Sequence, residues 1–179
     1  MKKRTPYPLD HVYRLIEPGP VVLLTTSSKS RANVMPMSWL TMMEFTPPLV
    51  GCVLGGCNHS FKALKATGEC VINIPGSELA RTLVACGNCH GDTHDKFTEF
   101  GLTPLPASHV AAPLIAECPA NLECRVIDRR LVNKYNFFVL EVLQAWSTPA
   151  LKTLRTLHHC GQGNFMVSGE HIKLRSKMP

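Results

Sequence analysis

The segment from Arg31 to Pro48 (RANVMPMSWLTMMEFTPP) constrains the fold of this chain more than any other. Its apolar run is typical of a buried strand, but Asn33, Pro36 and Trp39 interrupt it. Because Pro36 has no N–H to donate to a sheet, it fits only an edge strand or a bulge. A buried Asn or Trp must find a partner for its polar end. The segment therefore indicates either an irregular edge strand with its Trp in the core, or the wall of a ligand site.

The chain has 179 residues, enough for one domain that buries a core without disulfides or metals. We predict a single domain over residues 1–179, with residues 1–17 and 175–179 peripheral. Hydrophobic residues make up 45% and charged residues 18%, which is typical of a compact globular protein. The basic start lacks the apolar run of a signal peptide, and no segment approaches membrane-spanning length. We expect a soluble, cytoplasmic protein that does not bind membranes.

The formal net charge of +6 is spread along the chain rather than gathered in one tract. A nucleic-acid site would need basic residues on one face with aromatic side chains between them, and the sequence does not show that pattern. We therefore expect no nucleic-acid partner. An anionic small ligand and a solvated surface both remain compatible with this charge.

Eight cysteines are present, and several of them lie inside apolar, strand-like runs where a free thiol behaves as a small hydrophobe. Most should therefore be reduced. Cys86-Gly-Asn-Cys89-His90 has the spacing of a zinc knuckle or a redox pair. Since no second Cys-x-x-Cys follows, we assign no metal ligands and keep a zinc- or thiol-binding module as an alternative.

Apolar periodicity and turn residues predict a mainly β chain with short helices. The predicted strands lie at 21–26, 49–54, 70–74, 121–128, 135–146, 164–167 and 171–174, and the helices at 61–66, at 77–85 and from Asp92 or Asp95 to residue 100. Antiparallel strands in this number favour a closed or partly closed β-barrel over a doubly wound sheet. No Gly-x-Gly-x-x-Gly motif, P-loop or Gly-x-Ser-x-Gly elbow is present, so the common nucleotide and hydrolase signatures are missing.

The turn from Gly55 to Phe61 leads into a helix and has the residues of an anion site. Asn58 and Ser60 are good helix caps, and free N–H groups, the helix dipole and a protonated His59 would attract a phosphate. If the wall from Asn33 to Thr41 lies beside this turn, the two together suit FMN. Its ring is apolar on both faces and polar along one edge.

These segments resemble the flavin reductase-like family, whose members have an FMN-binding split barrel of Greek-key type, and within it the flavoredoxin-like branch. The matching segments, in chain order, are Pro18–Pro20, Asn33–Trp39, Pro47–Val50, Asn58–Phe61, Thr67–Pro75, Asp95–Phe97, Gly101–Thr103 and Leu122–Cys124. The resemblance covers the chain from Pro18 to about Trp146 and is weaker beyond it. One departure is the run from Cys89 to His94, which stands where the family often has Ser-Gly-Arg. No arginine contact can be carried over there.

The resemblance implies a homodimer with one FMN per subunit near the dimer interface, and an FMN-dependent oxidoreductase whose chemistry is carried by the flavin rather than by catalytic side chains. Electrons would come from NAD(P)H or a protein donor and pass to a flavin, a protein or a small acceptor. The alternative within the fold is an FMN-binding electron carrier that does not oxidise NAD(P)H. The residues implied to bind the cofactor are Asn33, Val34, Met35, Pro36, Ser38, Trp39, Leu40, Thr41, Asn58, His59, Ser60, Phe61 and Lys96.

Overall fold

A computed structural model describes residues 4–12, 19–29 and 31–175. Pro18 of the family resemblance, Ser30 of the first predicted turn and the outermost basic residues lie outside the described residues. The strands are β1 (Thr5–Tyr7), β2 (Val22–Ser28), β3 (Arg31–Met37), β4 (Leu40–Phe45), β5 (Pro48–Val53), β6 (Glu69–Ile74), β7 (Pro104–Leu105), β8 (Leu114–Ile115), β9 (Ala120–Asp128), β10 (Phe137–Ser147), β11 (Leu157–His159) and β12 (Phe165–Val167). The helices are α1 (His59–Thr67), α2 (Ala80–Asn88), α3 (Lys96–Glu99) and α4 (Val132–Tyr135), with 3-10 turns at Leu9–His11, Ser77–Leu79 and Pro149–Thr153.

One antiparallel sheet carries the fold, with the strand order β3-β2-β6-β9-β10-β5-β4 and β1 added beside β10. The long strand β10 is central, because it pairs with β9, β5 and β1. Its pairing with β9 shifts register between Val139 and Leu140 and again between Val142 and Gln144. Such bulges bend a strand and increase its twist, which curls the sheet on itself. The mainly β prediction is confirmed.

Strand β2 is buried on both of its faces from Val22 to Thr26, and this explains the apolar run at its start. Leu24 packs into the main core with Ile72, Leu122 and Phe138 from neighbouring strands. Leu23 points to the other side, into a second cluster. That cluster also contains Val34 of β3, Leu83 and Cys86 of α2, and Phe97 of α3. The second cluster fixes α2 and α3 against the β2–β3 hairpin.

Among the described strands, β3 pairs with β2 alone, so Pro36 lies on an edge strand as its missing N–H requires. The sheet is interrupted at Ser38 and Trp39, and the chain continues into β4. Trp39 is 72% exposed. Of the two alternatives, the one that places Trp39 in the core is therefore wrong, because the chain leaves β3 before this residue.

Several boundaries differ from the predicted ones; Tyr135, the predicted start of a strand, lies in α4, and β10 begins at Phe137. Helix α2 continues to Asn88, whereas Gly87 and Asn88 were expected in a loop. The segment 171–174 forms no strand; β12 pairs instead with β11, with Leu157 opposite Val167. The other predicted helices are present with shifted ends. Helix α1 starts at His59 rather than residue 61 and is followed by Gly68 at φ +76°, and α3 is capped by Asp95 and ends at Glu99. Within the described residues, no helix has both the length and the hydropathy to cross a bilayer.

Candidate functional site

A cavity of about 250 Å³ opens where β3 meets the start of α1, the end of α2 and the loop before α3. Polar groups and backbone make up much of its wall. The lining residues are Asn33, Met35, Pro36, Asn58, His59, Ser60, Cys86, Gly87, Cys89, His90, Gly91 and Lys96. Secondary-structure elements from four different parts of the chain therefore converge on one site.

Asn33 and Ser60 form the buried end of this cavity. The Asn33 side-chain Nδ2 donates a hydrogen bond of 2.9 Å to Ser60 Oγ, and Thr26 Oγ1 lies 3.3 Å from the same hydroxyl. Asn33 is only 4% exposed, yet its Oδ1 has no hydrogen-bond partner among the described residues. A buried polar atom without a partner costs about 1–3 kcal/mol. This oxygen is therefore suited to accept a hydrogen bond from a ligand.

The first turn of α1 presents its positive end to the cavity. Asn58 is the N-cap residue in an extended conformation (φ −70°, ψ 140°), and its side chain makes no capping hydrogen bond within the described part of the chain. The N–H groups of a first turn have no partner inside their helix and carry part of the helix dipole. The Phe61 N–H already donates to the Asn58 carbonyl at 3.1 Å, so the N–H groups of His59 and Ser60 are the ones offered to an anion.

A cluster of two histidines and an aspartate lies at the exposed rim. His59 Nδ1 is 2.6 Å from Asp92 Oδ1, and His90 Nδ1 is 3.0 Å from Asp92 Oδ2. The hydrogen bond with His59 lowers the pKa of Asp92 below its usual value. Because His59 uses its Nδ1 for this contact, only its Nε2 is left for a ligand.

Lys96 brings a buried cation to the same cavity. Its side chain is 4% exposed, and Nζ donates a hydrogen bond of 2.6 Å to the carbonyl oxygen of Cys86, near the C-terminus of α2. That helix end carries a partial negative charge, which stabilises the ammonium. Burial lowers the pKa of Lys96. An incoming anion would supply a counter-charge for this group.

Two glycines let the backbone approach the cavity wall closely. A Cβ at Gly87 would lie 3.0 Å from Pro36 Cγ, and a Cβ at Gly91 would collide with the amide of Asn33. Only glycine therefore fits at 91 without displacing Asn33. The cavity exists partly because these two positions carry no side chain.

The structure brings together seven of the residues that the sequence analysis proposed as cofactor contacts: Asn33, Met35, Pro36, Asn58, His59, Ser60 and Lys96. The other six do not line this cavity. Val34 is buried towards α2, and Phe61 packs edge-to-face on Phe138 with ring centres 5.5 Å apart.

The remaining four lie along the edge of the sheet. Ser38 lines a second cavity of about 330 Å³, which shares Pro36 and Gly87 with the first. Trp39 and Thr41 are exposed and Leu40 is half-buried. These positions can meet a cofactor only where it extends beyond the first cavity.

Sequence reasoning missed the contribution of the α2 C-terminus and the loop after it, where Cys86, Gly87, Cys89, His90 and Gly91 line the cavity. The available signal was the departure from the Ser-Gly-Arg pattern at this place in the chain. Within the described residues, His, Cys, Asp and Glu form no group of three or more able to hold a metal ion.

Comparison with known proteins agrees with this geometry. Residues 13–163 match the flavin reductase like domain family. An uncharacterised protein of Escherichia coli K12, YddH, is 30% identical over 187 aligned positions, covering 96% of this chain and 98% of YddH.

Solved structures show the same fold. An FMN-binding domain of a flavin reductase-like enzyme from Shewanella baltica OS155 is 25% identical, with a TM-score of 0.91. The match covers 97% of this chain and 98% of the Shewanella domain. A flavoredoxin from Methanosarcina acetivorans is 25% identical, with a TM-score of 0.76, and the match covers 88% of this chain and 89% of the flavoredoxin. The predicted split barrel and family resemblance are confirmed, and this chain belongs to the flavin reductase-like domain family.

Proposed function

We propose that this protein binds FMN at the cavity between Asn33, Ser60 and Lys96 and acts as an FMN-dependent oxidoreductase. This proposal rests mainly on the buried Oδ1 of Asn33, which has no hydrogen-bond partner among the described residues. It lies next to space that is open because residue 91 is a glycine. FMN binding by structural relatives such as the Shewanella baltica domain supports the same assignment.

The residues present fit both ends of an FMN molecule. For the phosphate there are the N–H groups at the start of α1, the imidazole of His59 and the ammonium of Lys96. For a hydrogen-bonding edge there is the Asn33 amide, beside the apolar surfaces of Met35 and Pro36. A mixed polar and apolar wall of this kind is what a flat, amphipathic ring system needs.

Bound FMN supplies the electron-transfer chemistry, and the protein supplies binding and orientation. Asn33 is held by Ser60 and therefore presents its free oxygen in a fixed direction. Lys96, anchored on the Cys86 carbonyl, places positive charge at the bottom of the cavity. In this proposal the seven cavity residues named from the sequence act in binding, and we assign no proton-transfer step to any side chain.

A homodimer would complete the site. The cavity of about 250 Å³ is smaller than typical cofactor pockets of about 300–1,000 Å³. FMN would therefore extend over the edge of the sheet near Trp39, Leu40 and Thr41. Trp39, Met43 and Phe45 are 72%, 49% and 54% exposed there, and in the described structure β4 pairs with β5 alone. We propose that a second copy covers this edge and the flavin.

One experiment tests the oxidoreductase assignment. The FMN-loaded protein is mixed anaerobically with NADH or NADPH while the flavin absorbance is recorded. Bleaching within milliseconds to seconds is expected of a reductase, since enzyme turnover falls on that scale. A flavin that binds but bleaches with neither nucleotide would assign the protein to the electron carriers of the same fold. A protein that gains no flavin bands with FMN would contradict both.

A further inference from the structure

Cys86 and Cys89 are two thiols in the wall of the FMN cavity with no role in the proposed function. Cys86 lies in the last turn of α2, and Cys89 is the residue that ends this helix. Residues three apart on an α-helix have Cα atoms about 5 Å apart. Disulfides span Cα distances of about 4.4–6.8 Å. The backbone therefore already holds the two residues at bridging distance.

Cys89 has the freedom that the bridge requires. Its backbone is extended (φ −128°, ψ 157°) rather than helical, and its thiol makes only long contacts, at 3.5 Å and 3.9 Å, to the carbonyls of Ala85 and Cys86. A rotation at this helix end can bring its sulfur to Cys86 without breaking the interior of α2.

The surroundings of the two thiols give them different roles. Cys89 is half-buried and faces the cavity, whereas Cys86 is fully buried, and burial raises its pKa to about 11. The buried Lys96 interacts electrostatically with both thiols. Cys89 is the accessible thiol and Cys86 the buried one, so Cys89 is the attacking thiol and Cys86 the resolving one.

We propose that Cys86 and Cys89 form a reversible disulfide in the wall of this cavity by exchange with a small-molecule disulfide. The Cys89 thiolate attacks one sulfur of the small disulfide, breaks its S–S bond and releases one thiolate. Cys86 then attacks the Cys89 sulfur, forms the intramolecular S–S bond and releases the second small thiol. The proton of Cys86 passes to that leaving group. Two protein thiols are oxidised and one small disulfide is reduced, so electrons balance.

The bridge would also regulate the flavin site, and this consequence rests on the proposed function. Lys96 Nζ is anchored on the Cys86 carbonyl, and His90 and Gly91 directly follow Cys89. Turning Cys89 so that its sulfur reaches Cys86 shifts the loop that carries His90 and Gly91, and with it the cavity wall opposite Lys96. Oxidation should therefore weaken FMN binding about tenfold, the effect of losing one charged hydrogen bond.

The disulfide is tested in the full chain carrying Cys57→Ser and Cys160→Ser, which removes the two exposed thiols. This protein, reduced and then desalted, is treated with oxidised glutathione. The expected product has lost two hydrogens, gives a Cys86–Cys89 linked peptide and reverts with dithiothreitol. Adding Cys89→Ser should abolish the mass loss. Adding Cys86→Ala should stop the reaction at one glutathionyl group on Cys89. Circular dichroism of each variant confirms folding.

The proposal is overturned if the thiols stay free, if the wild-type pair stops at a stable mixed disulfide, or if another cysteine is linked. A separate FMN titration of the reduced and oxidised forms tests the regulation. A higher FMN dissociation constant on oxidation, absent in the Cys89→Ser protein, supports it, and an unchanged constant overturns it. If neither form binds FMN, the proposed function fails, while the mass measurement still decides the disulfide.

Discussion

The side chain of Asn33 donates a 2.9 Å hydrogen bond to the hydroxyl of Ser60, and both groups are buried. This bond joins the edge strand β3 to the first turn of α1, two segments that are 27 residues apart in the chain. It leaves the buried Asn33 Oδ1 without a hydrogen-bond partner among the described residues, beside Gly91 in the cavity wall. The ring-binding and phosphate-binding halves of the proposed FMN site are thus held together by one contact.

Asn33→Ala should weaken FMN binding by about tenfold or more, because it removes a buried hydrogen bond worth about 1–2 kcal/mol to the ligand. The barrel should stay folded, because the core strands do not depend on this side chain. Fluorescence titration with FMN and thermal unfolding measure the two effects. The matched control is Asn133→Ala, which changes an exposed asparagine in α4 and should leave FMN binding normal. If Asn33→Ala unfolds and loses FMN together, Asn33 is a structural residue of an edge strand.

Lys96→Met should also raise the FMN dissociation constant, by about tenfold or more, since it removes the buried cation proposed to meet the phosphate. The loss of stability should be limited to about 1–3 kcal/mol, the cost of leaving the Cys86 carbonyl without its donor. Isothermal titration and denaturant unfolding measure both. Lys152→Met changes an exposed lysine and should alter neither. Equal FMN affinity of wild type and Lys96→Met would remove Lys96 from the site.

Gly91→Ala should displace the Asn33 amide, because a Cβ at this position occupies the space directly in front of it. We expect weaker FMN binding in a protein that still folds. Gly169→Ala is the matched control, since a Cβ there meets nothing within 4 Å. Comparable FMN dissociation constants for the two variants would show that the cavity next to Gly91 is not where FMN binds.

Trp39→Ala should leave the monomer folded, because the side chain is 72% exposed and exposed substitutions change stability by about 0.5 kcal/mol or less. Loss of a large aromatic from a dimer interface typically weakens association by about 2 kcal/mol or more. Light scattering across a concentration series should therefore show a shift towards monomer and, with it, weaker FMN binding. Ile172→Ala, at another exposed apolar residue, should cause neither change. A monomeric wild type would contradict the proposed dimer.

The pH dependence of stability should show the contact between His59 and Asp92. This hydrogen bond lowers the pKa of Asp92 below 3.8 in the folded state. The stabilisation is present above the unfolded pKa of about 3.9 and is lost as the pH falls through the lower, folded value. Asp92→Asn should therefore lower the melting temperature at neutral pH, and the difference should shrink below pH ~4. A difference that stays constant down to pH ~2 would contradict this contact.

Asn33 and Ser60 were singled out by their residue types and Lys96 by the family resemblance, and the structure brings all three to the same cavity. It did not predict the exposure of Trp39, since burial there depends on where β3 leaves the sheet. The extension of α2 to Asn88 was also missed. Gly87 disfavours a helix on its own, but it packs tightly on Pro36, and this tertiary contact overrides local propensity.

The closing strands show a different limit. Residues 171–174, which follow β12, alternate between polar and apolar side chains as a strand would. However, β12 pairs with β11, which precedes it in the chain. Alternation identifies a segment able to form a strand and does not identify its partner.

The most direct test of the central claim is a titration of the purified, reduced protein with FMN, run in parallel on wild type and Asn33→Ala. Flavin absorbance that stays with the protein through gel filtration gives the stoichiometry, and fluorescence quenching gives the dissociation constant. We predict saturation at one FMN per chain for wild type and a dissociation constant about tenfold higher or more for Asn33→Ala. A wild-type protein that retains no flavin, or two proteins that bind FMN equally well, would contradict the assignment of this cavity to FMN.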